Sequence, residues 1–428
     1  MSPEICFGQH REHTENAPYP RLHPKSFGLV NWVGLQFVVN LTHAYVSSAA
    51  MIHRRAFLAS AATTALAITP LAGCALTPTA IPALPTFPRA PRSPRLTNKT
   101  VSRIALTSCS DPTMDLSLFG DVEASKPDLV IMMGDNVYGS NSPTDPELPS
   151  LKEAYGKLAE AAPFRSLVAS TPTEAVWDDH DYGINDGGGD FAFKQRAQSM
   201  FATFWNVPAN SPIRQRPGIY RAFRTGPPGQ VLQVILLDTR YFRDPLLPTD
   251  QPNAPGKERY IPHSASSNAD VLGAAQWAFL EEELKKPADL RLIISSIQVI
   301  ADGHGWERWG NFPSAQQRLF DLIAKTKAQG VVFASGDRHY GSIHQQTTRV
   351  AYPLTDLTAS GINKGYRTAP GTDWVREPDT NRIGDGYGPI NFGLIDVDWA
   401  ARTLDLKLAG VAGTVTRAHR LAFSDLQS

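Results

Sequence analysis

LVIMMGDNVY, residues 129–138, opens with five apolar residues and closes on Gly134-Asp135-Asn136-Val137-Tyr138. A short apolar run bounded by a turn signal reads as a buried strand, and the residues after it read as a loop carrying polar side chains. The same pattern recurs along the chain. Arg103–Thr107 ends in Ser108-Cys109-Ser110-Asp111, and Glu174–Trp177 ends in Asp178-Asp179-His180-Asp181-Tyr182-Gly183. Leu290–Ile294 runs into Ser295-Ser296-Ile297-Gln298, and Val331–Ala334 ends in Ser335-Gly336-Asp337-Arg338-His339. Each strand therefore stops at a cluster rich in metal-ligand types. In α/β sheets the carboxyl ends of strands share one edge, where ligands bind, so five clusters far apart in sequence are expected to converge.

Further strands are expected at Val231–Leu237, Leu354–Thr358 and Phe392–Val397. Helices are expected at Leu151–Ala161, Phe191–Trp205, Ala274–Leu284 and Ala315–Ala328, the last with Leu319, Phe320, Leu322 and Ile323 at helical spacing. Strands alternating with amphipathic helices imply an α/β layered fold. The Gly/Pro/Asn-rich stretch from Gly361 to Pro389 reads as a long surface loop bordering the site. There is no internal repeat and no second domain of separate composition.

Lys plus Arg and Asp plus Glu each number 41 among 428 residues, and 42% of the chain is hydrophobic. This is an ordinary globular composition. The neutral balance gives no bulk attraction to nucleic acid or anionic lipid, so phosphate binding must rest on local groups and no nucleic-acid partner is expected.

From Met51 the sequence reads MIHRRAFLASAATTALAITPLAGCALTPT. Arg54 and Arg55, an Ala-rich apolar run and a small-residue cleavage site make a secretory signal, and the paired arginines point to the twin-arginine route. Leu71-Ala72-Gly73-Cys74 resembles a bacterial lipobox. The expectation is an exported periplasmic or cell-envelope lipoprotein that meets the membrane through a lipid anchor on Cys74. Residues 1–50 precede a signal that ordinarily begins a chain, so they read as a mis-assigned gene start. Residues 51–75 are then the signal, 76–99 a Pro-rich tether and 100–428 the catalytic domain. Of three cysteines, Cys6 precedes the expected start and Cys74 carries the anchor. Cys109 is left without a disulfide partner, and its thiol serves either burial or chemistry.

Carboxylates crowded at one sheet edge repel one another unless a cation neutralises them, so the aspartates imply metal ions. Thiolate and phenolate beside carboxylate and imidazole suit Fe(III) or a related transition metal, whereas carboxylate-only positions suit a harder ion such as Ca²⁺. Paired metals can bind a phosphate across two oxygens, lower the pKa of a bound water and neutralise developing charge.

SCS, GDNVY, WDDHDYG, DTRYFR and SGDRH, in this order, resemble the PhoD-like alkaline phosphatases (alkaline phosphatase D), a branch of the calcineurin-like metallophosphoesterases. The resemblance covers about 101 to 415. It implies a four-layer sandwich of two mixed central sheets flanked by helices, and hydrolysis of phosphate monoesters or diesters at neutral to alkaline pH. By the same resemblance Asp135 bridges two metals, with Cys109, Tyr138 and His339 completing an Fe³⁺ site. Asp179 and Asp337 bind the second ion, Ca²⁺ or another divalent metal, with Gln298 as a further candidate ligand. His180 falls where relatives place a histidine that contacts phosphate and protonates the leaving oxygen, and Asp181 orients it. Arg338 and Arg240 are candidates for a forked contact to the phosphate of a small ester substrate. Larger members carry a β-sandwich domain before the catalytic one, for which the tether leaves no room. Two rival readings keep the metals: a phosphodiesterase or phospholipase-type activity at the same site, and a lipoprotein that binds metal without catalysis.

Several residues admit plainer readings. Asp178 is expected to cap the following turn rather than face metal. The glycines between Asp186 and Asp190 read as a flexible turn in preference to a phosphate cradle. Arg240 and Arg243 stand near Asp238 and Asp244, with which they are able to pair. His304, Trp306, Glu307 and Trp309 line the mouth or pack beneath it.

Overall fold

Largely apolar runs with every position buried build the strands that carry the clusters, as in Leu129–Met133 and, around Arg291, Leu290–Ile294. Burial on both faces is what parallel strands between covering layers require. The computed structural model describes residues 81–96, 98–366 and 377–428. The expected gene-start extension, the signal, Cys74 and residues 76–80 lie outside the described residues.

In chain order, β1 (Arg103–Thr107), β2 (Leu129–Met133) and β3 (Thr173–Val176) run parallel side by side. The chain then builds a second sheet from β4 (Arg221–Thr225) and β5 (Leu232–Leu236), which are antiparallel. A short hairpin of β6 (Leu247–Pro248) and β7 (Tyr260–Ile261) follows. β8 (Leu290–Ile294) and β9 (Val331–Ser335) continue parallel to β5. β10 (Gly341–Gln346) and β11 (Leu354–Ala359) complete the second sheet, and β12 (Phe392–Asp398), β13 (Thr403–Ala409) and β14 (Val415–Ala422) return to the first. The two six-stranded orders are β14-β13-β12-β1-β2-β3 and β10-β11-β9-β8-β5-β4.

The sheets meet where β12 crosses β11. A Cβ on Gly393 would fall 2.9 Å from that of Ala359 and 3.1 Å from that of Leu106, so only glycine allows this approach. The helices are α1 (Leu118–Ala124), α2 (Pro149–Glu160), α3 (Ala162–Ser170), α4 (Asp179–Tyr182), α5 (Lys194–Phe204), α6 (Gly273–Leu284) and α7 (Pro313–Thr326). α1 packs on α3, α3 on α2, and α6 on α7, so the two six-stranded sheets and their helices make the expected layered sandwich.

One expectation changes. The described part of the Pro-rich stretch is not a free tether, because it lies against the body. Phe87 is buried edge-on to Tyr155, and the Ala90 N–H donates to the carbonyl of Phe204 at 2.9 Å. Its prolines exclude a helix, but its apolar side chains still find the core.

Candidate metal centre

The loops after β1, β2, β3 and β9 meet at one end of the two sheets. Within this rim the Cys109 sulfur, an Asp135 carboxylate oxygen and a His339 ring nitrogen lie within 4.8 Å of one another. Asp135 also groups within that distance with Asp179 and His180, and with Asp178, Asp179 and Asp337. Asp135 is common to all three groups, which is the geometry of a carboxylate shared between neighbouring cations. The Tyr138 hydroxyl donates to Asp135 Oδ2 at 3.0 Å and lies 3.3 Å from His339 Nε2. Buried Asp179 Oδ1 and Asp178 Oδ2 have no hydrogen-bond partner among the described residues. Orphaned anionic oxygens at such depth fit a cation.

The backbone aims these groups at a cost. Cys109, Asp135, Asp337 and His339 all adopt left-handed conformations, with φ of 58°, 50°, 69° and 57°. Non-glycine residues held there store roughly 1 kcal/mol or more each, and such strain gathers at functional sites. Gly134, at φ 103°, makes the turn ahead of Asp135, and a Cβ on it would lie 2.5 Å from Asp178 Cβ. Backbone bonds stitch the loops together. The N–H groups of Gly361 and Ile362 donate to the Ser108 carbonyl at 3.2 and 3.1 Å, and that of Gly336 to the Ser296 carbonyl at 2.9 Å.

Electrostatics agree with an unneutralised anionic nest. Burial first, then the charges of Asp179 and Cys109, push the Asp135 carboxyl well above its ordinary range. Burial, Asp179 and Glu307 raise Asp337 to about 8. Burial raises the Cys109 thiol to about 11, against the hydroxyls of Ser108 and Ser360. Asp179 moves the other way. Burial opposes its charge, but His180, Arg240 and the Asp186 N–H hold it below the usual carboxylate range. Burial, then Lys364 and Arg338, lower His339 to about 4, which keeps its imidazole neutral and its lone pair available.

The remaining expected residues divide. His180 is half-buried, its ring 4.1 Å from that of Tyr138 and its backbone N–H 3.3 Å from Asp135 Oδ1. Asp181 does not reach the His180 ring. Its oxygens accept from the Asp178 N–H at 2.5 Å and from the backbone and side chain of Asn136, so it pins two loops together. Gln298 is consumed by its own network: its amide donates to Thr358 Oγ1 at 2.9 Å, and its carbonyl oxygen is 2.9 Å from His304 Nε2. Arg240 is fully buried between Asp178 and Glu307, with Glu307 also holding Arg243, rather than open to substrate. Arg338 is buried and paired to Glu377 at 2.5 Å. Asp178 belongs to the carboxylate group while its Oδ1 accepts from Arg240 and Ser296, and its Oδ2 has no hydrogen-bond partner among the described residues.

The glycine turn is no phosphate cradle, since Gly189 N–H donates to the Arg243 carbonyl at 2.7 Å while the Asp186 N–H holds Asp179 Oδ2 at 2.7 Å. His304, Glu307 and Trp309 are buried, and only Trp306 is partly exposed, under Arg259.

Sequence reasoning missed two residues. Ser360, just past β11, accepts the His339 N–H at 2.8 Å and sits 3.0 Å from the Cys109 sulfur. Lys364 places its ammonium 4.6 Å from the Tyr138 ring centre and 3.6 Å from Asp111. Both come from the stretch after β11, where no apolar run precedes a ligand-type cluster.

Among solved structures, the chain is similar to that of PhoD at 16% identity and a TM-score of 0.60, covering 78% of this chain and 70% of that one. It is also similar to GAP50, the anchor in the inner membrane complex of Plasmodium, at 11% identity and a TM-score of 0.45, covering 76% of this chain and 89% of that one. No curated protein sequence matches it. The sequence profile of the PhoD-like phosphatases matches residues 104–365, which hold every ligand group of the rim. On that match the chain belongs to the PhoD-like phosphatase family and is a phosphoric ester hydrolase.

Proposed function

We propose that the chain hydrolyses small phosphate monoesters or diesters at two cation sites that share Asp135. The observation that carries this reading is the presence of Asp135 in all three ligand groups. Fe³⁺ suits Cys109, Tyr138 and His339, and Ca²⁺ or another divalent ion suits Asp179 and Asp337, with Asp178 able to assist. Such cations, when bound, orient the phosphoryl group, acidify water and offset developing charge.

The chain's own residues then supply position and protons. His180, its ring tilted against that of Tyr138 at the half-buried edge, hands a ring proton to the leaving oxygen. Lys364, 28% exposed at the same rim, offers a cation to the ester's free oxygens. Arg240 holds Asp178, and through it the carboxylate group, in place.

Turnover of p-nitrophenyl phosphate and bis(p-nitrophenyl) phosphate before chelation, after it and after metal return tests the reading. Loss on chelation and recovery with metal are expected, and the ratio of the two rates assigns monoester or diester preference. Failure of metal-replete protein to hydrolyse either ester would contradict it. Export by the twin-arginine route with acylation of Cys74 is part of the same proposal, supported by the RR and LAGC motifs. Palmitate labelling that Cys74→Ala abolishes is the expected outcome.

A further inference from the structure

The packed Pro-rich segment leaves a groove of about 920 Å³ between itself and the body. Arg89, Arg92, Arg95, Arg214, Arg221 and Arg224 line it, against a single acidic lining residue, Glu174. Glu174 is already paired with Arg221. Arg214 is held by the carbonyls of Val207 and Ala202 at 2.9 and 2.8 Å. Arg89, Arg92, Arg95 and Arg224 are exposed, and none has a carboxylate partner among the described residues. Arg89 and Arg224 reach only the carbonyls of Thr203 and Pro287, both at 3.2 Å. Arg89, Arg92 and Arg95 recur every third residue in a proline-rich run. A three-residue period is that of an extended polyproline turn, which keeps such side chains on one side.

The groove also has a definite place in the fold. Leu129 and Thr173, the first residues of β2 and β3, line it, whereas the metal rim follows the last residues of the same strands. A five-residue strand is roughly 16 Å long. The arginines therefore occupy the sheet edge opposite the rim. Cys74 stands seven residues before Ile81, where the described chain begins. Seven residues span at most about 25 Å.

We propose that this groove docks on anionic phospholipid headgroups and seats the enzyme on the membrane with its metal rim at the far edge. The proposal rests on the anchor at Cys74, which limits how far the groove can stand from the bilayer. Four guanidinium groups without carboxylate partners complement such a surface, and each arginine brought to it strengthens binding about fivefold. Esters in solution then reach the rim, whereas the bilayer under the groove lies on the other side.

Co-sedimentation of the full chain carrying Cys74→Ala with vesicles of pure phosphatidylcholine, and of phosphatidylcholine with 30% phosphatidylglycerol, tests this without acylation. Preference for the anionic vesicles that weakens with salt is expected. Arg89→Gln/Arg92→Gln/Arg95→Gln in that background should reduce the preference at least tenfold, while melting temperature and soluble-ester turnover stay unchanged. The matching triple lysine variant should keep it. Equal binding to both vesicle types, an undiminished preference in the glutamine variant, or tighter binding to an oligonucleotide at the same salt would overturn the proposal. Palmitate labelling separately tests the anchor, so the two readings fail distinguishably.

Discussion

Ser360 shows how one hydroxyl can set a candidate metal ligand. Its oxygen accepts the His339 N–H, so its own proton is free to point at the Cys109 sulfur 3.0 Å away. A hydrogen bond to the thiolate form opposes the burial that raises Cys109 to about 11. Ser360→Ala should weaken metal binding about 10- to 100-fold with little change in melting temperature. Competition with a chelator of known affinity measures this, and unchanged affinity would reduce Ser360 to packing. Protonation supplies a second prediction. Below about 8 the Asp337 carboxyl holds a proton in the metal-free site, and Cys109 holds one below about 11. Cations compete with those protons, so affinity should fall as pH is lowered through 8, and metal uptake at pH 7 should release protons. Calorimetry in buffers of different ionisation enthalpy reads the release, and uptake with none would be contrary. The gathering of Cys109, Asp135, Tyr138, Asp179, Asp337 and His339 at one rim was legible because each follows a buried strand in a short motif. Ser360, Lys364 and the second face of Asp178 were not, since their roles arise only from contacts between loops distant in sequence. Arg240 misled for a related reason: an arginine that binds phosphate and one buried between carboxylates look alike in a motif.

Among the elements, the strand ends place the candidate ligands by forcing sharp left-handed turns. Gly134 makes one of them possible. Gly134→Ala brings a Cβ to 2.5 Å from Asp178 Cβ at φ 103°, which should cost about 2 kcal/mol or more and lower metal affinity through displaced Asp135 and Asp178. Urea unfolding and metal content together check this, and wild-type values for both would remove Gly134 from the account. The bounds of β1, β2 and β8 agree with those read from sequence, because each is a short, largely apolar and buried run that stops at a polar cluster. β14 was missed because Val415–Ala422, VTRAHRLA, is an edge strand whose side chains are nearly all half-buried or exposed, and it carries no apolar pattern. β10 was missed for its polarity, GSIHQQ, although it is almost wholly buried. Pairing with β11 satisfies its backbone, and tertiary context overrides the local signal.

On the proposed reading, the whole molecule joins an anchor side to a chemical side. Docking of residues 81–96 on the body was not legible, since a proline-rich composition reads as extended whether or not it packs. Phe87→Ala should lower stability by roughly 3 kcal/mol in urea unfolding, the low end for a buried phenylalanine, where a free tether would show no change. The layered fold was legible from the alternation of elements, but the closeness of the two sheets at Gly393 was not, because it depends on a contact across layers. On the proposed reading, Asp135 lets two cations share one rim. Elemental analysis of wild-type and Asp135→Asn protein matured in the native host, with ester turnover on the same samples, tests it most directly. Two cations per wild-type chain are predicted, with both lost from the folded variant and turnover reduced by at least about a thousandfold. A variant that keeps its metal complement and near-normal turnover would contradict the account.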